Sequence, residues 1–597
     1  MMVIRRAHQT KYFLSIFEKK QNMKIYFSIF TLFFSFVLLA QTKDLLTGNT
    51  TPTYDELIDF YRAYATNDNS IQLYAMGNSD YGKPIYVCVL GALSDSSQTF
   101  NKARNATTLL INNGIHPGEP CGVNASMQLV NDYSQLSEKE RKGYPVIAII
   151  PAYNVGGMHH RSAFSRANQE GPEEYGFRGN TRNFDLNRDF IKMDSENAKT
   201  FAKLFHALDP DVFIDTHTSN GADYQYTMTY IAPTYDRMPA ATRTLMYEEL
   251  IPFLDKKLSK QWKYDLTPYV SMNSSRLDDG IHAFNALPRY AMGYGELFHT
   301  LSFTTETHML KPFEDRVRST YAFIVETIDW MADNSLKLER ARQDAKESFK
   351  NCTLLPTNYT LDTDRKDSIL FKGFEWSELP SMITEQPRLF YDRSKPFTRY
   401  IPHYFHYKAT DTVQIPAFYV IGAHEKSTIQ MLKMNNVQLI QSSVDSTIQA
   451  KGYKIIDFSN GTKPYEGHYL HSKTSLEIID INLKVKKGDY IIPMKQDKAY
   501  YIVSVLDPRM EDSFFAWNFY DSYLQQKEYF SSYVFEEKAV ELLKNNPALE
   551  KEFRQKQKED TKFKENRWEQ LYFIYQHSPY YEPTHNALPI YFVLNTY

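Results

Sequence analysis

Three short, uninterrupted apolar runs constrain the fold of this 597-residue chain more than any other feature. They span residues 107–111, 146–150 and 212–214, and the segment after Ser195, between the last two runs, has apolar residues at helical spacing. Such runs are typical of strands that are covered on both faces by helices. The alternation of strands and helices predicts an α/β fold built on a central sheet.

The chain is too long for a single hydrophobic core, so we expect more than one compact unit. Residues 50–336 form the first unit, which ends in a helix over 312–331, and a charged stretch over 337–350 follows it. Residues 355–510 read as a β-rich module and 511–597 as an aromatic and helical tail packed on the rest. The strands expected in the module are 417–421, 437–440, 453–456, 476–485 and 500–505.

The N-terminal segment, residues 1–40, has the pattern of an extension followed by a cleavable export signal. Lys19, Lys20 and Lys24 precede an apolar run over 25–39. As a helix this run would reach only ~22 Å, which is short of a ~30 Å hydrocarbon core. We therefore expect export to the periplasm or beyond, with no stable membrane anchor after cleavage.

Charge and cysteine content exclude other classes of protein. The chain has 68 Lys and Arg against 71 Asp and Glu, so its charge balance gives no sign of a nucleic-acid partner. Its 3 cysteines are too few and too far apart for a disulfide framework or a thiolate zinc site.

Polar side chains follow the apolar runs at the points where the predicted strands end. His116 and Glu119 follow the first run, His217 follows the third, and Glu306 ends a further short run over 301–305. Ligands of open α/β sheets bind outside the carboxyl ends of the strands. Two histidines and one carboxylate with an open position form a hydrolytic zinc site. The sequence therefore predicts that His116, Glu119 and His217 hold Zn²⁺ and that Glu306 is the catalytic base.

Together these residues resemble the zinc metallocarboxypeptidase family typified by carboxypeptidase A, over residues 54–335. The resemblance implies a carboxypeptidase-like α/β/α sandwich with a mixed central sheet in residues 50–336. It also implies a peptide substrate and the release of C-terminal residues. The motifs that carry it are Tyr54-Asp55-Glu56-Leu57, Gly82-Lys83-Pro84-Ile85, His116-Pro117-Gly118-Glu119, Asp185-Leu186-Asn187-Arg188, His217 and Ser302-Phe303-Thr304-Thr305-Glu306.

The same resemblance implies roles for the residues around the metal. Asp185 would orient His116, and Asn187 with Arg188 would bind the terminal carboxylate of the peptide. Arg178 would polarise the scissile carbonyl and hold the oxyanion, a role that suits the forked donors of a guanidinium. Nearby alternatives for Arg178 are Arg161, Arg166 and Arg182.

Two other functions remain open from the sequence. One is an amidase or endopeptidase that acts on cell-wall peptides through the same site, and the other is a catalytically silent protein that binds peptides or glycans. His308, close behind Glu306, could perturb the base or contact the substrate. His468 and His471 have metal-like spacing, but without carboxylates around them in the sequence we interpret them as surface histidines.

Overall fold

The computed structural model of the protein describes residues 44–93, 95–272, 274 and 276–595. The extension and signal peptide expected over residues 1–40 lie outside these ranges. Among the helices within them, none combines the length and the apolar character that a membrane crossing requires.

The apolar runs that open the sequence argument form strands of one sheet. The first two runs become five-residue strands that are buried at every position, and the third extends through His217 to Ser219, also buried throughout. Burial on both faces explains why these runs are continuous rather than alternating. The strands up to residue 308 are β1 (Ile71–Asn78), β2 (Pro84–Leu90), β3 (Thr108–Asn112), β4 (Val146–Ile150), β5 (Val212–Ser219), β6 (Met228–Ile231), β7 (Leu266–Pro268), β8 (Ser271–Met272), β9 (Ile281–His282) and β10 (Leu301–His308).

The central sheet is mixed, as expected. Its order is β1-β2-β4-β3-β5-β10-β6-β7. Strands β4, β3, β5 and β10 run parallel to one another, whereas β1 and β2 are antiparallel to their neighbours, and β6 is antiparallel to β10 but parallel to β7. The carboxyl ends of β3, β5 and β10 therefore meet at one edge, where the predicted metal ligands and base lie.

Helices cover both faces of this sheet and complete an α/β/α sandwich. On one face α1, α3 and α10 pack together, and on the other α2 contacts α6. The α-helices up to residue 350 are α1 (Tyr54–Asn67), α2 (Ser96–Arg104), α3 (Cys121–Gln135), α4 (Glu138–Arg141), α5 (Val155–His159), α6 (Glu196–Leu208), α7 (Ala240–Thr244), α8 (Ile251–Lys257), α9 (Ala291–Glu296) and α10 (Phe313–Lys350).

Helix α10 is longer than the sequence analysis predicts. The expected end near residue 331 is wrong, because the helix passes through a local distortion at Asn334 and continues across the charged stretch to Lys350. Leu338, Ala341, Ala345 and Phe349 keep one face of this extension buried. Apolar residues at helical spacing thus persist among the charges, and they extend the helix.

The region after residue 350 is rich in strands, as predicted. Its two long hairpins are β12–β13 and β17–β18, and β13 also pairs with the short strand β9 of the first unit. The strands are β11 (Leu354–Leu361), β12 (Asp367–Pro380), β13 (Pro387–Tyr404), β14 (Tyr407–Gln414), β15 (Phe418–Ile421), β16 (Ile440–Gln441), β17 (Ser446–Asn460), β18 (His471–Val485), β19 (Tyr490–Pro493) and β20 (Ala587–Val593).

The strand expected over residues 437–440 is formed only at Ile440, the first residue of β16, and another expected strand of this region is wrong. Residues 500–505 lie in a helix that is buried at all its positions. A short apolar run that is buried on every side has no periodicity to separate helix from strand, so the sequence could not decide between them. The helices of this region are α11 (Lys426–Met434), α12 (Ala499–Leu506), α13 (Ser532–Asn545), α14 (Pro547–Glu559), α15 (Thr561–Glu565) and α16 (Arg567–Gln576).

The final segment is divided between two environments. Helices α13 to α16 share a small core of their own, as expected for a helical tail. Strand β20, however, lies inside the six-stranded sheet β16-β19-β15-β20-β17-β18. The expected boundary at residue 511 therefore separates β20 from the sheet to which it belongs.

Candidate metal centre

Two neighbouring strands and one turn bring the predicted ligands together. His116 and Glu119 lie on the turn between β3 and α3, which is closed by a 2.8 Å hydrogen bond from the Glu119 N–H to the His116 carbonyl. His217 lies on β5 and faces Glu306 in the parallel register of β10. The three predicted ligands and the predicted base thus lie together at the carboxyl edge of the sheet.

The ligand atoms of His116, Glu119 and His217 converge on one point. The two Nδ1 atoms lie 3.1 Å apart. Glu119 Oε2 lies 3.0 Å from Nδ1 of His217 and 3.5 Å from Nδ1 of His116. All three side chains are buried, and they are the one set of three potential metal ligands found among the described residues.

Each histidine has a carboxylate behind it. Nε2 of His116 lies 2.8 Å from Asp185 Oδ1, and Nε2 of His217 lies 2.7 Å from Asp215 Oδ2. A carboxylate at Nε2 fixes the ring proton there and leaves the Nδ1 lone pair directed at the centre. Two such nitrogens and a carboxylate oxygen are the donor set of a hydrolytic zinc site, so the residues fit Zn²⁺.

Asp185 lies where its expected orienting role requires, whereas Asp215 was missed as an orienting residue. The sequence did contain a sign of this contact. Asp215 precedes His217 by two positions, and residues two apart in a strand lie on the same face. Although burial opposes the change, Asp215 and Glu119 raise the pKa of His217 well above its ordinary value. Burial raises the pKa of Glu119, but Arg166 and His116 outweigh it, so the pKa lies well below its ordinary value.

Two arginines contact the ligand Glu119. Arg166 Nη1 lies 2.7 Å from Glu119 Oε1, and Arg178 Nη1 lies 3.3 Å from the same oxygen. Arg178 also donates from Nε to Asp185 Oδ2 at 3.0 Å. Both arginines line the cavity beside the metal centre. The other two alternatives bond elsewhere: Arg161 donates to carbonyls of residues 51, 52 and 174, and Arg182 to the carbonyl of Asp194.

Asn187 and Arg188 line the same cavity, next to Asp185. The Asn187 side-chain oxygen accepts a 2.9 Å hydrogen bond from the Ala291 N–H. The Arg188 guanidinium lies 4.6 Å from the ring centre of Tyr290 and 3.8 Å from Asp185 Oδ2. Packing on the aromatic ring fixes the guanidinium beside the cavity, in a position to meet an anionic group.

Glu306 also lines the cavity, and its side chain is only partly buried. Burial, together with the nearby carboxylate of Glu119, raises the pKa of Glu306 to about 7 even though His217 acts in the opposite direction. A carboxyl group with a pKa near neutrality can both take up and give back a proton. His308, by contrast, is buried away from the cavity with Nε2 2.8 Å from the Ala222 carbonyl, and burial lowers its pKa to about 4.

The cavity that joins these residues measures about 440 Å³. Beyond the charged groups, one part of its wall is apolar and aromatic. The sequence analysis missed this part because its residues come from β6, α9 and separate loops, without a shared period. Its members are Ile231, Tyr269, Phe284, Tyr290 and Met292.

Comparison with known proteins identifies one family and several relatives with similar sequences. Residues 57–230 match the sequence model of the family described as zinc carboxypeptidase. The chain is 22% identical over 489 residues to carboxypeptidase 2 of Trichophyton equinum, which covers 78% of this chain and 84% of that protein. It is 22% identical over 490 residues to carboxypeptidase 2 of Trichophyton rubrum, with the same coverage of 78% and 84%. A crystal structure of a metallo-carboxypeptidase from Burkholderia cenocepacia aligns with a TM-score of 0.34 and 16% identity, over 47% of this chain and 70% of that one.

The family match includes the turn that carries His116 and Glu119 and the strand that carries His217, and it ends before Glu306. The matched segment thus contains the whole cluster of converging ligand atoms. Residues 57–230 thus match the zinc carboxypeptidase family, and the chain is a zinc-dependent metallopeptidase, a hydrolase acting on peptide bonds.

Proposed function

We propose that this metallopeptidase releases residues one at a time from the free carboxyl end of peptides. The observation that carries the proposal is the position of Arg188 in the same cavity as the cluster of His116, Glu119 and His217. A guanidinium at one end of a cavity selects a carboxylate, and a zinc site at the other end places the scissile bond. The substrate is therefore bound by its terminus.

Three residues would hold the metal and one would move the proton. His116 and His217 offer their Nδ1 atoms and Glu119 offers Oε2 to zinc, which when bound polarises a carbonyl and lowers the pKa of water. Glu306, whose pKa is raised to about 7, takes the proton from the attacking water and returns it to the leaving amine.

The remaining polar residues would orient the substrate. Arg178 lies at the mouth of the cavity with 44% of its side chain exposed, so its guanidinium can meet the carbonyl oxygen of an incoming peptide. Arg166 is more enclosed, at 15%, and its donors are directed at Glu119 and the Thr218 carbonyl. We therefore assign the oxyanion role to Arg178, and the grip on the terminal carboxylate to Arg188 with Asn187.

We further propose that the protein is exported and works as a catalytic domain over residues 50–336 with an appended β-rich module and tail. The charged and apolar pattern of residues 1–40 supports export. Strands after residue 350 form two sheets of their own and share a third with β8 and β9 of the first unit, and the two separate sheets support the division into units. Peptides outside the cytoplasm are the substrates that this arrangement would meet.

Paired peptides test the proposed activity. The purified protein is incubated with peptides that differ only in a free or an amidated C-terminus, and the products are followed by mass spectrometry. We expect stepwise loss of C-terminal residues from the free peptides alone, abolished by a chelator and restored by zinc. Equal cleavage of amidated peptides would instead identify an amidase or endopeptidase, and an absence of both cleavage and bound metal would identify a silent binding protein.

A further inference from the structure

A hairpin of the C-terminal module reaches the loop behind the metal centre. Strands β17 and β18 are joined by residues 461–470, and within this connection Tyr465 and His468 form a tight two-residue turn. The turn is closed by hydrogen bonds of 2.7 Å from the Tyr465 N–H and 3.0 Å from the His468 N–H. The two residues at its tip are Glu466 and Gly467.

The tip has an unfavourable backbone for one of its residues. Glu466 has φ of 49° and Gly467 has φ of 84°. Two-residue hairpin turns with positive φ at both positions favour asparagine and glycine, and glutamate adopts the left-handed region only rarely. Strained residues are concentrated at functional sites, so the glutamate at this tip calls for a role for its side chain.

The side chain of Glu466 bonds to the backbone of Asp185. Its Oε2 accepts a 2.8 Å hydrogen bond from the Asp185 N–H. The carboxylate of Asp185 in turn contacts His116 at 2.8 Å, Arg178 at 3.0 Å and Arg188 at 3.8 Å. Glu466 therefore holds the one residue that links the metal ligand His116 to both arginines.

The rest of the hairpin fixes Glu466 in this position. A Cβ atom at Gly467 would lie 3.1 Å from Phe184, so the turn packs closely against the residue before Asp185. His468 Nε2 lies 2.8 Å from Asp194 Oδ2, and His471 Nε2 lies 2.8 Å from Asp521 Oδ1. The expectation that these are surface histidines is wrong for His471, which is buried; His468 is partly exposed, and both pair with carboxylates.

A second contact, from Asp512 at the start of the tail, supports the aromatic ring on which Arg188 lies. Asp512 accepts hydrogen bonds of 2.8 Å from the backbone N–H and from Nε of Arg289. The next residue, Tyr290, provides the ring on which Arg188 lies. The Arg289 guanidinium also lies 5.5 Å from the ring centre of Tyr465 in the hairpin. The module and the tail thus hold the loop that carries Arg188 and the ring beneath it.

We propose that Glu466 is a positioning residue for the carboxylate-binding end of the active site, and that the module completes this end. Glu466 acts through Asp185, whose backbone it holds and whose carboxylate sets Arg178 and Arg188. Without the bond, the turn that carries Asn187 and Arg188 can shift away from the cavity. This inference rests on the proposed function, since it takes the terminal carboxylate of a peptide as the ligand of Arg188.

Substitutions at Glu466 distinguish the effect of losing the hydrogen bond to Asp185 from the effect of relieving the backbone strain of the turn. Glu466→Ala and Glu466→Gly both remove the acceptor, whereas Glu466→Gln keeps a carbonyl oxygen at the same distance. Glu466→Gly also relieves the left-handed backbone, so its thermal stability should fall less than that of Glu466→Ala. The matched control is Glu477→Ala, an exposed glutamate of β18 on the same hairpin.

We expect Glu466→Ala and Glu466→Gly to raise KM for peptides with a free carboxyl end by about tenfold or more, as for loss of a hydrogen bond to a charged group. Glu466→Gln should stay within about threefold of the wild type, since an amide oxygen still accepts the bond. KM, kcat, zinc content and melting temperature are measured for the full-length zinc-loaded chains. Glu477→Ala should match the wild type in all four.

Two outcomes would overturn these ideas separately. If the wild type cleaves amidated peptides as fast as free ones, the proposed function fails. If the wild type prefers free peptides and a stable, zinc-loaded Glu466→Gly keeps the wild-type KM, the positioning role of Glu466 fails. A fall in kcat with unchanged KM would also contradict it, because the residue is assigned to binding of the carboxylate.

Discussion

The two histidine sides of the metal centre are built in different ways. On the strand side, His217 takes its carboxylate partner Asp215 from the same strand, two residues away, and both are buried in the central sheet. On the loop side, His116 lies on a turn and takes its partner Asp185 from a distant loop. That loop is in turn held by Glu466 of the C-terminal module.

This difference distinguishes residues held by the pairing of strands in the sheet from residues held only by contacts between loops. Strand hydrogen bonds hold Asp215, His217 and Glu306 in register, so this half of the site needs no outside support. The loop half carries Arg178 and Arg188, the residues assigned to the substrate. The proposed grip on the substrate thus lies on loops, whereas the proposed base and one predicted ligand lie on the rigid sheet.

The largest expected effect comes from the strand side. Glu306→Gln keeps the shape of the side chain but cannot take a proton, so kcat should fall by about 10²- to 10⁴-fold. KM and zinc content should change little, since Glu306 is neither a proposed ligand nor part of the carboxylate grip. Steady-state kinetics on a zinc-loaded sample measure this, and a kcat within about tenfold of the wild type would assign the base elsewhere.

On the loop side, Arg188→Lys should weaken binding rather than chemistry. Lysine keeps the charge but loses the forked donors and the packing on Tyr290, so we expect KM to rise by about 10- to 100-fold. Arg182→Lys, an exposed arginine that lies outside the cavity, serves as the matched control. An equal change of KM in the two variants would contradict the assignment of Arg188 to the terminal carboxylate of the peptide.

The two orienting aspartates provide the direct comparison of the two sides. Asp215→Asn and Asp185→Asn should each lower zinc affinity by about 10- to 100-fold, because an amide no longer fixes the histidine tautomer as a carboxylate does. Asp185→Asn should also raise KM, since Asp185 contacts both arginines. Competition with a chelator measures the zinc affinity of each variant. A rise in KM for Asp215→Asn rather than for Asp185→Asn would contradict the division between the strand side and the loop side.

The smallest expected effect concerns acid stability where the module meets the first unit. Burial, together with Lys498, lowers the pKa of His206 to about 3, and its Nε2 lies 3.3 Å from the Asn435 side chain of the module. Below about pH 6.5 the unfolded chain binds a proton at this residue that the folded chain does not, so stability falls as the pH falls from about 6.5 toward 3.

At pH 5 this group should cost about 2 kcal/mol relative to neutral pH. His206→Gln keeps a donor for Asn435 but cannot titrate, and should lose less stability on acidification than the wild type. Denaturant unfolding at pH 7 and pH 5 gives the two differences. An equal loss in both proteins would show that other groups set the acid response.

The sequence predicted the strand side and much of the site because local patterns carry them. A buried parallel strand is a continuous apolar run, and a polar residue at its end marks the edge of the sheet, so His116, Glu119, His217 and Glu306 could be placed together. The contact of Glu466 with Asp185 left no such trace, because residues far apart in the chain meet only through tertiary packing. The strand expected over residues 500–505 failed for a similar reason, as its surroundings and not its pattern made it a helix.

The position of β20 has a consequence for the order of assembly. This strand comes late in the chain, yet it pairs with both β15 and β17 in the middle of the module's sheet. During synthesis, the residues that would bind zinc emerge long before the strand that anchors the Glu466 hairpin. A nascent chain can therefore bring its predicted metal ligands together early, while the end of the cavity that would grip a peptide takes its final shape only after β20 has been synthesised.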